Sequence, residues 1–249
     1  MPTAASSSTS RRRRGRLRSG PLRRGDWAEL PLDVILSVLG KLEHIDVLAG
    51  ACQVCRSWRR TACDEPALYR RIDIHGHLAH WSLSDDPRTS FYYEFHSNGV
   101  AKAAVLRAAG QCNAFWVQFA ATTDCFAFWL TSETLISSSM APFLKSLHLR
   151  WCNYISIEGF TEAIRRLPLL EDLELTFCDS SVGKEMSQTV GESCPRLKHL
   201  VRNHFPCNRQ HRDDTDQEAP GIATMTELRS LKIMGNQLTK EGLVTILDS

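Results

Sequence analysis

One short pattern of leucines returns several times in the second half of the chain, and this self-similarity limits the possible folds more than any other feature. The pattern Leu-x-x-Leu-x-Leu-x-x-Cys begins at Leu144 and again at Leu170, and a variant with Asn in place of Cys begins at Leu228. A shortened copy begins at Leu197. Because a unit of this length cannot bury its apolar face alone, the copies must stack into a continuous core.

Each copy predicts one strand followed by one helix. The alternating Leu-x-Leu residues indicate a short strand, and the Cys or Asn after it satisfies backbone groups at the turn. Helical spacing follows the first copy at Ile164 and Leu167 and the last copy at Val244 and Leu247. This layout is identified as the leucine-rich repeat, which implies an α/β solenoid of short parallel strands alternating with helices.

Two units depart from the pattern. Upstream, the run from Cys112 to Phe119 fits a degraded strand between predicted helices over Val100–Ala109 and Ala127–Leu135. In the unit at Leu197, Arg202 replaces the third apolar residue, and the polar stretch Asn208–Glu218 predicts a surface insertion. We therefore expect about five units, the first degenerate and the fourth interrupted. The last unit reaches Ser249 without a polar cap, which predicts an open, uncapped end.

A compact helical module precedes the repeats. Apolar residues fall on one stripe of a first helix at Val34, Ile35, Val38, Leu39 and Leu42. Pro31 suits the start of that helix because its missing N–H costs nothing there. Further helices are predicted over Asp46–Ala51 and Gln53–Cys63. Three short helices have little core of their own, so such a bundle is usually completed by a partner.

The module closely resembles the F-box. The resemblance is carried by Trp27, by Leu30-Pro31, by the run Val54-Cys-Arg-Ser-Trp58-Arg and by Pro66-Ala-Leu-Tyr69, at their observed separations. In that family the motif docks on the Skp adaptor, which joins it to a cullin and a RING protein in a ubiquitin ligase. The resemblance implies that Trp58 belongs to the core. It implies adaptor contacts by Trp27, Leu30, Pro31, Ile35, Leu36, Leu39 and Val54.

Together the two regions resemble the F-box/leucine-rich-repeat proteins of plants. The resemblance implies a non-enzymatic substrate-recognition subunit of a Skp-cullin-F-box ubiquitin ligase, present in the nucleus, the cytoplasm or both. The expected organisation is a disordered Arg/Ser-rich tail over 1–25, a three-helix F-box over 26–72, a linker and helical lead-in over 73–110, and the repeats over 111–249. A repeat scaffold for protein–protein interaction outside any ligase is the alternative.

A protein substrate is expected on the concave face of the solenoid. There the residues that flank the leucines of each strand form columns from repeat to repeat. The candidate substrate contacts are His148, Arg150, Trp151, Glu174, Thr176, Phe177 and Lys232. Both charge signs occur, so the columns single out neither an acidic nor a basic ligand. Trp151 beside Phe177 has the composition of a binding hot spot, although packing along the rim would explain both rings equally well.

The tail and the body differ in charge. Residues 1–25 hold eight arginines and no acid, which leaves 22 basic residues against 28 acidic ones in the rest of the chain. Such a segment predicts disorder. A nuclear-import or nucleic-acid patch, an organelle transit peptide and no role at all remain open. Nucleic acid is not expected as a partner, because no aromatic residue is interleaved among the arginines; binding through this tail is kept as an alternative.

Signatures of catalysis and of cofactors are missing from the sequence. It contains no GxGxxG, no phosphate-binding loop, no zinc-protease helix and no GxSxG elbow. Neither the Cys52–Cys55 pair nor the groups at His75, His77, His80 and at Cys207, His211 have the spacing of a zinc site. No apolar run is long enough for a membrane span. We expect no catalytic residue, no metal, no cofactor and no membrane partner.

Overall fold

A computed structural model describes residues 27–74, 99–118, 143–152, 155–178, 183–204, 216–235 and 238–248. The tail over 1–25, the predicted helix Ala127–Leu135, the candidate ligands His75, His77, His80, Cys207 and His211, and residues 208–215 of the predicted insertion lie outside these ranges.

Three α-helices form the amino-terminal module, as the sequence predicts. Helix α1 runs from Leu32 to Leu39, α2 from His44 to Ala49 and α3 from Arg56 to Asp64. Single turns of 3₁₀ helix at Trp27–Glu29, Ala51–Gln53 and Pro66–Tyr69 connect and flank them. Pro31 precedes the first residue of α1 and its carbonyl accepts the hydrogen bond from the Ile35 N–H. The core of the module is formed by Ile35, Leu39, Val47, Ala51, Trp58 and Ala62.

Six parallel strands follow in one sheet whose spatial order is the order of the sequence. The strands are β1 Arg71–Ile74, β2 Ala114–Gln118, β3 Ser146–Arg150, β4 Asp172–Thr176, β5 His199–Asn203 and β6 Ser230–Met234. This is the predicted solenoid. The prediction placed its first strand after residue 111 and missed β1, because Arg71–Ile74 directly continues the helical module with no leucine pattern of its own.

Helices lie between the strands on one side of the sheet. Helix α4 covers 99–108, and α5 Ile157–Arg165, α6 Gly183–Ser193, α7 Ala219–Ala223 and α8 Lys240–Leu247 follow. Helices α5 and α8 begin alike, because the Ser156 and Thr239 hydroxyls accept hydrogen bonds from the N–H groups of Gly159 and Gly242. Such capping satisfies a backbone donor that the first helical turn leaves unpaired. No helix in the described ranges has the length and apolar character that a membrane crossing requires.

The leucines of the repeats form one continuous core with the end of the helical module. Leu147 and Leu149 of β3 and Leu173 and Leu175 of β4 are buried, together with the turn residue Cys152. The same cluster includes Tyr69, Ile72 and Ile74 from the start of the sheet. Leu68 packs against both this cluster and the core of the helical module. The two parts of the chain are therefore joined by packing and not by a flexible hinge.

His44 also ties α2 to the first strand. Its Nδ1 accepts a hydrogen bond from the Asp73 N–H at 3.3 Å, and its Nε2 lies 3.1 Å from the Leu68 carbonyl oxygen. The imidazole ring lies against the ring of Tyr69, with centroids 5.7 Å apart. The hydroxyl of Tyr69 donates to the carbonyl oxygen of Ala62 in α3. The orientation of the helical module on the sheet is thus fixed by polar contacts as well as by packing.

In the interrupted repeat, a buried ion pair takes the place of the missing apolar residue. Arg202 occupies an inward position of β5 and approaches Glu218 at 2.8 Å, with side chains only 5% and 14% exposed. The guanidinium also donates to His204 Nε2 at 2.9 Å and to the sulfur of Met186 at 3.5 Å. Burial lowers the pKa of Arg202, and the carboxylate of Glu218 opposes that shift. Glu218 was predicted in a surface insertion; the structure instead places it beside the core as the counter-charge of Arg202.

This ion pair predicts an asymmetric response to mutation. Glu218→Ala leaves a buried guanidinium without its carboxylate and should lower the free energy of unfolding by about 3–5 kcal/mol. The double change Arg202→Leu with Glu218→Gln restores the apolar residue of the repeat and should cost much less. Urea unfolding followed by circular dichroism measures both variants. Equal destabilisation by the two variants would contradict the role assigned to the pair.

Candidate functional site

The helical module has several large apolar side chains on its surface. Trp27 is 60% exposed, Leu32 57% and Val54 49%, and Val34 and Leu42 are also exposed. The Trp27 ring packs edge-on against the buried Trp58, with centroids 5.9 Å apart, and its carbonyl oxygen accepts a hydrogen bond from Trp58 Nε1. Trp27 is therefore held in place while its ring remains largely in solvent. A group of exposed large apolar side chains on one small module is typical of a protein interaction surface.

The structure divides the predicted adaptor contacts into three groups. Trp27, Pro31 and Val54 are exposed, and Leu30 and Leu36 are half-buried. Ile35 and Leu39 are each only 1% exposed and belong to the core of the module. The expectation that their side chains contact a partner does not fit this structure, because they lie one turn apart on the inward side of α1. Leu32 and Val34 are exposed on the same helix and were not among the predicted contacts.

The sheet aligns the predicted substrate residues in the expected columns. His148 pairs in register with Glu174, and Arg150 with Thr176. Lys232 belongs to the same column as His148 and Glu174, but Val201 of β5 stands between it and Glu174. Four of the predicted residues are therefore adjacent, and Lys232 lies apart from them.

A charge cluster occupies the middle of this face. The Nε2 atom of His148 lies 2.9 Å from Asp172 Oδ2, and its Nδ1 lies 3.4 Å from Glu174 Oε2. The other oxygen of Glu174 accepts from Arg150 Nε at 2.7 Å and from the Thr176 hydroxyl at 2.9 Å. Asp172 was not a predicted contact, although its place in the column beside His148 follows from the repeat register.

Both carboxyl groups of the cluster titrate below their ordinary range. Burial alone would raise the pKa of Asp172 and of Glu174. For Asp172 this effect is outweighed by hydrogen bonds and charge from His148 and by the Ser146 hydroxyl, and its pKa is lowered. For Glu174 the hydrogen bonds from Arg150 and Thr176 outweigh burial, and its pKa is lowered as well. The folded chain therefore favours the ionised form of both groups.

Planar side chains continue the cluster toward β1. The Trp116 and His148 rings stack with centroids 5.0 Å apart and an interplanar angle of 16°. The guanidinium of Arg71 lies 5.3 Å from the centroid of the Trp116 ring, within cation–π distance. Trp116 Nε1 donates to the Ser146 hydroxyl at 3.1 Å. The polar face thus extends over β1 and β2. The sequence predicted β2 as a degraded strand, but the predicted columns of the sheet face began only at β3.

Ser146, His148 and Glu174 have the residue types of a hydrolytic triad, but their geometry is that of a charge cluster. Ser146 Oγ lies 3.2 Å from His148 Nε2, and the same nitrogen lies closer to Asp172. The Ser146 hydroxyl donates to Asp172 Oδ2 at 3.2 Å, so it is not aligned to pass its proton to the imidazole, as a general-base mechanism requires.

An aromatic pair stands where β3 and β4 end. Trp151 and Phe177 both have left-handed backbone conformations, with φ of 56° and 53°, which bulky residues rarely adopt. Their N–H groups donate to the carbonyl oxygens of Thr176 and Asn203 in the next strand, at 2.9 and 2.8 Å. The rings are 4.9 Å apart, and Trp151 is 37% exposed. The repeated backbone turn therefore presents two neighbouring rings at the edge of the sheet.

A cavity of about 30 Å³ lies beneath this edge. Its lining includes Cys152, Cys178, Phe160, Arg202 and Asn203. The Oδ1 atom of Asn203 is buried without a hydrogen-bond partner within the described residues. This volume suits a water molecule and is far too small for an organic ligand. Within the ranges that the structure describes, no group of three or more His, Cys, Asp or Glu side chains is arranged to hold a metal ion.

Comparison with known proteins finds the same two modules. Residues 27–75 match the family model described as F-box-like, and residues 224–247 match a leucine-rich-repeat model. The chain is 34% identical over 224 residues to F-box/LRR-repeat protein 23 of Arabidopsis thaliana and 34% identical over 225 residues to its F-box protein SKIP19. It is 30% identical over 224 residues to F-box/LRR-repeat protein 9 of the same plant.

The three alignments each cover 90% of this chain. They cover 45% of F-box/LRR-repeat protein 23, 66% of SKIP19 and 82% of F-box/LRR-repeat protein 9. The chain thus spans less than two thirds of the length of two of these relatives and more than two thirds of the third. The similarity includes both the helical module and the strands that carry the charge cluster.

The charge cluster predicts a loss of stability in acid. Because the pKa of Asp172 and of Glu174 is lowered on folding, their contribution to stability is fully present above the unfolded pKa of about 4. It is lost as the pH falls through the folded values. Asp172→Asn should therefore flatten the decline in unfolding free energy below about pH 5. The exposed Glu227→Gln is the control, and an identical pH profile for both variants would contradict the assignment.

Proposed function

Because the chain belongs to the F-box/leucine-rich-repeat family, we propose that it is the substrate-recognition subunit of a Skp-cullin-F-box ubiquitin ligase. The observation that carries the proposal is the rigid junction of two interaction surfaces in one chain. An F-box with exposed apolar side chains packs through Leu68 and Tyr69 onto a solenoid with a polar and aromatic sheet face. Such a junction suits a receptor that holds one protein at a fixed position relative to another.

The F-box end is proposed to bind the Skp adaptor. Trp27, Leu32 and Val54 place three large apolar side chains in solvent on this one small module. Burial of such side chains drives most protein association. The core residues Ile35 and Leu39 support this surface from beneath. Through the adaptor the receptor would join a cullin and a RING protein.

The repeat end is proposed to bind the protein that becomes ubiquitinated. Its sheet face offers the ion pair of Arg150 with Glu174 and the hydrogen-bonded pair of His148 with Asp172, next to the rings of Trp116 and Trp151. Aromatic and arginine side chains are the residue types that most often dominate protein interfaces. Proteins of this family are generally non-catalytic adaptors. We accordingly assign the chain a binding role, in which the ligase partners carry out the chemistry.

We place this receptor in the nucleus, the cytoplasm or both. Support comes from the eight clustered arginines of residues 1–25, whose composition suits recognition by nuclear import factors. If the cluster is an import signal, replacing these arginines with serine should move a tagged protein to the cytoplasm. Adaptor binding should not change, because the F-box begins beyond the cluster. An unchanged distribution in fluorescence microscopy would remove the import role.

Adaptor binding is tested with side chains whose loss leaves the F-box folded. The triple change Trp27→Ser, Leu32→Ser and Val54→Ser removes three exposed apolar contacts, each expected to contribute about 1–2 kcal/mol. Affinity for the purified Skp adaptor, measured by isothermal titration calorimetry, should fall at least about a hundredfold. Lys41→Ser, an exposed change in the same module, is the matched control. Undiminished affinity of the triple variant would show that the adaptor does not use this surface.

A further inference from the structure

The residues just before each strand form the amino-terminal edge of the sheet. Several of them are basic, which the leucine pattern does not indicate. The residue just before each strand donates its N–H to the carbonyl oxygen of the corresponding residue on the preceding strand, at 2.8 Å in every step. This ladder fixes six residues in one row, in the order Arg70, Asn113, Lys145, Glu171, Lys198 and Arg229. The row spans five strand spacings, or about 24 Å.

This row is cationic. It holds four basic side chains against one carboxylate, a net charge of +3. Arg70 and Arg229 are exposed, and the side chain of Lys145 is 60% exposed. Glu171 lies 3.2 Å from Lys145 and 2.6 Å from Lys198, which together lower the pKa of its carboxyl group. Glu171 thus neutralises part of the positive charge in the middle of the row. The positive charge of Arg70 and Arg229 remains at the two ends.

The opposite edge of the sheet is aromatic. The residues that follow β3, β4 and β5 are Trp151, Phe177 and His204, and their N–H groups form a second ladder of 2.8–2.9 Å hydrogen bonds to the next strand. Met234, at the end of β6, adds an exposed apolar side chain. Each strand with its flanking residues advances about 3.3 Å per residue. The cationic and aromatic edges are therefore about 20 Å apart.

We propose that the sheet face binds an acidic segment of a partner protein. The segment places carboxylates along Arg70, Lys145, Lys198 and Arg229 and a large apolar side chain, about six extended residues away, on the Trp151–Phe177 pair. Charge complementarity at one edge sets the position of the segment, and burial of the apolar residue at the other edge holds it. The inference deepens the proposed receptor function, and rests on it for its biological role, by naming the substrate class.

A nucleic acid fits this face less well than a peptide does. A continuous phosphate backbone along the cationic row would have to pass Glu171, whose carboxylate stands in the middle. A peptide avoids the repulsion because it can place an uncharged residue at that point. The Trp151 and Phe177 rings lie against each other and about 20 Å from the row, so bases of the same bound strand would not be stacked beside its phosphates.

The test uses the full chain in complex with the Skp adaptor and a synthetic, fluorescently labelled peptide. The peptide carries four glutamates that alternate with serine over about eight residues, enough to span the row of about 24 Å, and a tryptophan about six residues beyond them. It is made in both chain directions. Parallel probes replace the glutamates by serine, replace the tryptophan by serine, or are oligouridine of similar length. Fluorescence anisotropy should show binding of the complete peptide in at least one direction, weakening as salt rises.

Variants then assign the two edges separately. Lys145→Ser with Arg229→Ser should weaken binding of the complete peptide about five- to tenfold and should not affect the peptide that lacks glutamate. Trp151→Asn keeps a residue that tolerates the left-handed backbone, and it should weaken only the peptides that contain tryptophan, about tenfold. Lys240→Ser with Arg165→Ser, two exposed helix residues, removes the same charge away from the row and should change nothing.

Several results would overturn the inference. They are equal binding of the peptide without glutamate, tighter binding of oligouridine with the same dependence on Lys145 and Arg229, or no binding of any probe. Co-purification of the adaptor with each preparation separates the two claims. Retained adaptor without peptide binding rejects the acidic-segment inference alone. Peptide binding that depends on both edges, in a chain that does not bind the adaptor, rejects the receptor function alone.

Discussion

The register of the parallel sheet is the constraint on which the rest of the structure depends. Hydrogen bonds between successive strands keep every repeat at the same height, so Leu147 pairs with Leu173 and Leu173 with Leu200. Because side chains alternate along a strand, this pairing buries one set of positions and aligns the other set on the opposite face. The same ladder orders the residues just before and just after each strand. A column of charges, a cationic edge and an aromatic edge are all consequences of that single register.

The packed junction between the F-box and the sheet holds the two proposed binding surfaces in a fixed relative position. Tyr69 is fully buried where the last turn of the F-box meets β1, and burial raises the pKa of its hydroxyl. His44 bridges α2 to the backbone of β1. If a flexible linker joined the F-box to the repeats, the distance between adaptor and substrate would vary. Under the proposed receptor function both would be held by one body, which would favour transfer of ubiquitin to a limited set of positions on the substrate.

The fold could be predicted from the sequence because the patterns that specify it are local and repeated. The Leu-x-Leu spacing predicted β3, β4 and β6, and the helical spacing of apolar residues predicted the three helices of the amino-terminal module. Sequence reasoning missed β1 because Arg71–Ile74, directly after a helical module, offers only two alternating apolar residues, Ile72 and Ile74, and no copy of the leucine pattern. It also placed Ile35 among surface contacts, because a motif identifies which positions matter and not which side chains the fold buries. The partner of Arg202 could not be predicted, since Glu218 is brought to it only by the tertiary structure.

Hydrogen exchange of the chain with and without the Skp adaptor locates the adaptor surface without any mutation. Adaptor binding should slow exchange in residues 27–56, around the exposed side chains Trp27, Leu32 and Val54. Amides of β3 and β4 should exchange at the same rate in both states, because the sheet face is left for the substrate. Slower exchange in the strands with no change over residues 27–56 would contradict the division of the chain into an adaptor end and a substrate end.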